Sequence, residues 1–529
     1  MKIAFSVLFL TIALCSFSQK ELYSGKSFTV KQCGFNDDRE GGDEKILFVT
    51  ENEVVTRQPM RGGIYMFRVY GSTMELLSSK EIHKDEIGPA DMDVPYMFSV
   101  SNQLYGIGTK TIADQQRNEV YLLRWNVNEF RFSNDYDLIS SVEGEGFFRN
   151  FENAFLDVAT SQGEEHVLIS HKLPERGENL VFRLIHFDSN MELTDHNDIE
   201  FEVDRIPFFP RGSSFTSRKG IPYTYGTSGV SPFEIDNSGI VYTYGHPKKD
   251  DSQWFVCSIE NNDVRYHKIP ESEEWYMKSY TIRSADNRPG KWLVGRYVDD
   301  KREESGFCMF PISHERLEDP IKIVWDNQTV GDFLLERQKK IDKKTASGEN
   351  FYPYSAQLVK WIYSDDGTMV LVHEANYHKV YIDQKGRSQT VYYSNGIIVS
   401  SVDEDGNLIG ARGIRKSQAS GKTHFQRSWI FEHDGIINIV FNDHFNHLKP
   451  NWDGQKMSSF KGPNNPIALV QIDMHNLDFQ TRELIYTSDD CNGIPVSPAA
   501  HQLFTLDENR YVAWTNNGAK RCLLLFELK

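Results

Sequence analysis

A strand–turn–strand unit repeats eight times along the chain. Its first copy runs Tyr65-Met66-Phe67-Arg68-Val69, turns through Gly71-Ser72-Thr73 and returns as Met74-Glu75-Leu76-Leu77. Further copies begin at Tyr121, Val181, Trp254, Phe307, Ile397 and Ile467, and an eighth apolar run begins at Cys522. The starts lie roughly 50 to 90 residues apart, which leaves room for four strands in each interval. Two earlier strands precede most copies, such as Pro95–Val100 and Gln103–Thr109, or Ser428–Glu432 and Ile436–Phe441. Turn signals join them: Asp236-Asn237-Ser238-Gly239, Asp365-Asp366-Gly367 and His433-Asp434-Gly435.

The repeated strands are apolar on both faces, as in Tyr121–Trp125 and Cys522–Phe526. A half-buried strand would alternate apolar and polar residues. A strand packed between two neighbouring sheets would not, and the blades of a β-propeller are packed in that way. A membrane barrel needs longer alternating strands, apolar outward and polar inward, and the pattern is not of that kind. The sequence therefore predicts an all-β propeller of eight blades. Seven is the alternative count, because Lys45–Ile82 shows its early strands least clearly.

The last copy lacks an outer strand. Lys26-Ser27-Phe28-Thr29-Val30 is an unassigned strand near the other end, and its pairing with Cys522–Leu528 would close the ring. Such a pairing brings Cys33 near Cys522, and a disulfide between them is expected on that ground. Cys257, Cys308 and Cys491 complete an odd set of five beyond the leader, and no CxxC spacing points to structural zinc.

Residues 1–18 read as a secretory signal: Lys2, an apolar run from Ile3 to Leu14, then Ser16 and Ser18 at the small positions of a cleavage site. Cys15 raises a lipoprotein alternative, which the bulky Leu14 opposes. No later run approaches the ~20 apolar residues of a membrane helix. The remainder, 19–529, reads as a single propeller domain with one helical insertion near Gln328–Ala346. A net charge of −17 argues against binding nucleic acid through bulk charge.

With the strands of each blade named a to d outward from the axis, the a–b and c–d turns share one face. The b–c and d–a connections share the other. All the long connections fall in the second set: Val203–Ser231, Asp326–Phe351, Asn376–Asn395 and Asn442–Asn465. Long loops on a rigid scaffold commonly carry function, so this face is the expected binding face. Its candidate contact residues are Arg211, Phe215, Arg218 and Tyr223 in a basic aromatic loop, with His444 and Trp452 in another.

Catalytic signatures are not found. His373-Glu374-Ala375-Asn376-Tyr377-His378 resembles a zinc-protease motif, but HExxH needs histidines four apart on one helical face, and these are five apart on a predicted strand and loop. Asp443, His444 and His447 sit close in sequence and read as solvated loop residues rather than as a metal site. There is no nucleophile elbow, P-loop, dinucleotide fingerprint or EF-hand. No catalytic residue, metal or cofactor is assigned.

The stretch Asn395-Gly396-Ile397-Ile398-Val399, Asp403-Glu404-Asp405-Gly406, then Ile414-Arg415-Lys416-Ser417-Gln418 resembles a recurring segment of uncharacterised exported proteins of Bacteroidota. The resemblance covers roughly 364–441, implies a Gram-negative cell envelope and supplies no activity. The expected function is a non-enzymatic interaction protein of the periplasm or outer membrane, such as a subunit of a secretion or uptake complex, with a protein partner. The alternative is a propeller hydrolase or lyase acting on a glycan; its paired carboxylates would come from distant blades.

Overall fold

The computed structural model describes residues 20–25, 28–36, 45–89, 92–143, 156–176, 179–201, 203–205, 233–247, 255–270, 275–277, 281–284, 290–299, 305–325, 356–364, 366–382, 387–403, 407–420, 428–449, 466–487, 490, 503–516 and 521–529. The described strands form eight antiparallel sheets of four or five strands. In chain order the first seven span 45–83, 93–143, 156–201, 203–268, 275–324, 356–420 and 428–486. The eighth joins Leu503–Asp507, Arg510–Asn516 and Arg521–Leu528 to two strands from the other end of the chain, Phe28–Asn36 and Lys20–Ser24.

Each predicted repeat is the third and fourth strand of one sheet, counted from the inside. The two middle strands are buried on both faces, as Glu53–Pro59 and Ile467–Asp473 show residue after residue. Outer strands such as Leu76–His83 and Leu193–Phe201 are mostly exposed. This contrast follows from the packing: middle strands are sandwiched between neighbouring sheets, and outer strands meet water.

Eight apolar cores show that the sheets form a closed ring. The first and second sheets share Phe67, Leu123 and Phe132; the second and third, Ile107, Leu122 and Ile185. The third and fourth share Phe182, Phe201 and Phe255; the fourth and fifth, Tyr242, Val256 and Phe310. The fifth and sixth share Trp292, Trp325 and Trp361; the sixth and seventh, Val399, Ile439 and Ile472. The seventh and eighth share Phe28, Trp429 and Phe526. Finally the eighth meets the first through Leu523 and Leu525 against Ile46 and Val54. Every sheet thus buries both faces, the condition that the apolar pattern demanded.

Closure takes place where the sequence predicts it, with a shifted boundary. The closing strand is Phe28–Asn36, running from Phe28 opposite Leu528 to Asn36 opposite Arg521. Lys31 pairs with Glu527 at 2.5 Å across this join. Lys20–Ser24 adds a fifth strand outside it, so the outer edge of this sheet is half-exposed rather than eliminated. The register sets Cys33 opposite Leu523 and Cys522 opposite Phe35, with an irregularity between. The two cysteines are therefore one position out of direct opposition. Cys257 and Cys308 are buried free thiols, and burial pushes Cys308 up to about 12.

Two other expectations change. Asn376–Asn395 is not a loop: the strands Met369–Ile382 and Ser388–Val402 continue through it as one long hairpin, paired out to Ile382 opposite Ser388. Val203–Arg205 is also strand, and it shares the inner position of the fourth sheet with Glu234–Ile235. The leader (1–18), the helix expected near 328–346 and Cys491 lie outside the described residues. Among the described residues no helix is long and apolar enough to cross a membrane.

Candidate functional site

The tight connections explain why one face of the ring is poor in variable surface. Two a–b turns have two central residues at positive φ, Ser101 and Asn102, and Asp434 and Gly435, with Asn261 and Asn262 doing the same in a c–d turn. Such turns match the right-handed twist of the flanking strands, so the hairpins close in two residues. In four c–d turns the last residue is apolar, left-handed and buried: Met74, Phe130, Met191 and Leu477. Asp188 supports one of these turns by accepting the backbone N–H groups of Asn190 and Glu192, both at 2.9 Å. Asp473 and Asn126 accept backbone N–H groups in the same way in two others. These apolar plugs were not anticipated from the sequence. Their signal is a residue such as Met or Leu directly after a polar Asp/Ser/Asn run.

The other face holds the connections at 325–355 and 443–466 and the long hairpin; the segment expected as a d–a loop at Val203–Ser231 instead interrupts the inner strand of the fourth sheet between Arg205 and Glu234, and 206–232 lies outside the described residues. The roots of several of them meet at the seam between the sixth and seventh sheets. Glu374, at the base of the hairpin, is fully buried. Its Oε1 accepts from Lys416 Nζ, from Ser428 Oγ at 2.9 Å and from Ser394 Oγ at 3.1 Å. Its Oε2 accepts from Asn376 Nδ2 at 3.2 Å. Burial alone would raise this carboxyl, but the Lys416 charge and these donors outweigh burial and hold it below its ordinary value.

Lys416 lies 5.5 Å from the centre of the Phe441 ring, and the Arg482 guanidinium lies at the same distance from that ring. Arg482 donates through Nε at 3.0 Å and through Nη2 to Asp443 Oδ2, and through Nη1 to the Arg415 carbonyl at 3.2 Å. Asp443 Oδ1 accepts from the His444 backbone at 2.8 Å and pairs with His447 Nδ1 at 2.6 Å. Burial opposes the Asp443 charge, yet His447 and Arg482 keep the carboxyl depressed. Gln418 closes the seam with a 2.6 Å bond to the Asn442 carbonyl.

Arg415, Lys416 and Gln418 follow the outer strand Leu408–Ile414 of the sixth sheet. Their work here is mechanical: they tie the sixth sheet to the seventh beneath the long connections. Asp443 and His447 are likewise committed to each other and to Arg482. Among the described residues no group of three or more His, Cys, Asp or Glu is arranged to hold a metal ion. His444 caps the short helical turn Phe445–Leu448 by accepting the Asn446 N–H at 3.1 Å. Arg211, Phe215, Arg218, Tyr223 and Trp452 lie outside the described residues.

The zinc-protease resemblance fails on structure as well as spacing. His373 and His378 lie on one strand, and His373 is buried between Phe307 and Trp325, with ring centres at 4.5 and 4.9 Å. Neither of its ring nitrogens finds a hydrogen-bond partner. Burial first, and the Arg296 charge second, push its pKa down to about 3.

No protein-family model matches the chain, and no curated protein matches it. Solved structures do. The polysaccharide lyase Uly1 is 10% identical, with 82% of this chain and 90% of that one covered at a TM-score of 0.32. The WD40 domain of SCAP from fission yeast is 8% identical over 94% of this chain and 98% of that one, at 0.36. The β-propeller domain of the Trilobed protease from Pyrococcus furiosus is 9% identical over 86% and 98%, at 0.33.

Proposed function

We propose that this chain is a non-enzymatic interaction protein of a Gram-negative cell envelope, and that it holds a protein partner on the face built by the b–c and d–a connections. The observation that carries this reading is the asymmetry of the ring. One face is closed by tight turns whose polar groups are spent on the turns themselves. The other carries long connections, of which the hairpin 376–394 and the connection 443–466 are rooted in a buried lattice of ion pairs that fixes their bases. Preorganised bases lower the ordering cost of binding, which favours recognition by loops on a rigid frame. The envelope setting rests on the leader and on the resemblance of 364–441.

Capture from a native envelope followed by mass spectrometry would identify the partner. Alanine at Arg211, Phe215 and Arg218 together is expected to weaken capture at least tenfold, since arginine and aromatic anchors contribute roughly 2 kcal/mol or more each at binding hot spots. Alanine at Ser72–Thr73 and Ser189–Asn190, on the opposite face, should change nothing. Loss of the partner in the turn variants alone would reverse the face assignment. Turnover of a glycan by the purified chain would replace the reading with the enzymatic one.

A further inference from the structure

The short helical turn Phe445–Leu448 opens the b–c connection of the seventh sheet, on the face of the long connections. Its backbone is held at both ends. The His444 side chain caps it, the His447 N–H reaches the His444 carbonyl at 2.9 Å, and the Asp443 N–H reaches the Pro466 carbonyl at 2.9 Å. Asp443 and His447 are buried and bonded to each other, and Arg482 of the strand Phe479–Tyr486 holds Asp443 from the side. On this fixed turn Phe445 is 47% exposed, the only phenylalanine so exposed among the described residues. A second apolar residue belongs to the same surface. Alternate residues of a strand share a face, so Leu484 follows Arg482 on the face that meets Asp443, and it is 43% exposed. A turn fixed in this way keeps Phe445 in water at a standing hydrophobic cost, which burial against a partner removes.

We propose that Phe445 and Leu484 form a docking patch for an acidic segment of the protein partner, one that sets a bulky apolar side chain beside its carboxylates. This rests on the reading above that a protein binds this face. The polar groups around the patch select the occupant. Asp443 is the one acid in 442–449, and its two oxygens are spent on His447, Arg482 and the His444 N–H. Glu483 lies on the opposite face of its strand, where it accepts from the Tyr23 hydroxyl at 2.5 Å. What the turn still offers is donors. His444 Nδ1 accepts the Asn446 N–H at 3.1 Å, which leaves the proton of the neutral ring on Nε2. Lys449 is exposed at the end of the turn, and no described group forms an ion pair with it. Carboxylates supply the missing acceptors, and such charge-assisted bonds are roughly twice as strong as neutral ones. A basic segment would bring like charge to Lys449. The chain as a whole is acidic, but charges beyond the ~8 Å Debye length are screened, so a short segment responds to the turn itself. A flat anionic membrane would instead face the whole ring and its net charge of −17.

Photo-crosslinking of the full chain in its native envelope tests this, with benzoylphenylalanine in place of Phe445 as the probe. Its aromatic side chain keeps the apolar contact. Irradiation should link position 445 to a protein segment that carries Asp or Glu beside the linked residue. Phe445→Ser and Lys449→Glu, both at exposed positions, should each weaken capture of that protein at least tenfold with an unchanged Tm. Phe445→Leu, which keeps an apolar side chain, should retain most of it. No link from 445, a link to lipid alone, or a link to a segment without carboxylates overturns the proposal. So does capture indifferent to Lys449→Glu. The same probe at Thr73, exposed on the tight-turn face, separates the two readings. A protein linked from 73 and not from 445 removes the face assignment itself. A partner still captured, with 445 and 73 both silent, removes this patch and leaves the proposed function standing.

Discussion

Two buried charges face each other within the sixth sheet at its seam with the seventh, and the energetics of such a pair are lopsided. Lys416 and Glu374 are each fully buried, and every donor around Glu374 is directed at its carboxylate. Removing both charges is often neutral, whereas removing one strands the other. Lys416→Met should therefore cost about 3–5 kcal/mol in urea unfolding. The double variant Lys416→Met, Glu374→Gln should recover most of that loss; equal losses in both would show that the pair contributes nothing specific. His373 makes a different prediction. Its folded pKa of about 3 lies well below the ordinary value of 6.5. As pH falls through 6.5 the unfolded chain takes up a proton that the folded chain refuses until about 3, so stability is lost across that window. His171, lowered to about 4 by burial and then by the Arg183 charge, adds to the same loss. His373→Phe removes no hydrogen bond and should flatten the fall in Tm between pH 6.5 and 3. An unchanged slope would mean that His373 is protonated in the fold.

Strands and turns were legible to different degrees, for a physical reason. The third strand of every sheet stood out because it is apolar on both faces, a local property of a few consecutive residues. The closing strand was legible because one sheet lacked an outer member. The hairpin at Asn376–Asn395 was misread as a loop because its residues are polar and aromatic without a core to face. The Glu374–Lys416 and Asp443–Arg482 pairs join residues about 40 positions apart on non-adjacent parts of one sheet, and no spacing rule reaches across the intervening strands. The left-handed apolar turns were hidden because such a conformation is unfavourable to Met, Phe or Leu in isolation, by about 1–2 kcal/mol. Burial overrides that cost: Met191 is nearly inaccessible in the core between the second and third sheets. Met191→Ala should thus destabilise by about 2–5 kcal/mol despite relieving little strain. Met191→Gly, which relaxes the backbone, should be no worse than the alanine variant. A glycine variant more stable than the wild type would show that the turn, not the core, dominates.

The whole molecule depends on a join between residues almost 500 positions apart. Seven of the eight sheets are continuous stretches of chain, and each can be assembled from neighbouring strands at modest loop cost. The eighth cannot, because its outer strands come from the opposite end. Phe28 and Val30 on the closing strand are completely buried, against Phe431, Trp429 and Phe526. Deleting Lys20–Lys31 removes both, a loss of about 3–6 kcal/mol in burial alone. It also leaves the apolar strand Arg521–Leu528 with one edge unpaired over Leu525–Leu528, where Phe28–Lys31 had paired with it. Total stabilities of folded domains are about 5–15 kcal/mol, so a ring opened in this way should melt far lower or aggregate through that edge. Phe28→Ala in the full-length chain separates the two contributions: it removes core packing, at about 3–5 kcal/mol, and keeps the backbone pairing. The expected order of Tm is wild type, Phe28→Ala, then the deletion, with association detected by light scattering in the deletion alone. Equal melting of the deletion and the wild type would mean that the ring holds without its first strands, and that its eight shared cores suffice to keep the two ends together.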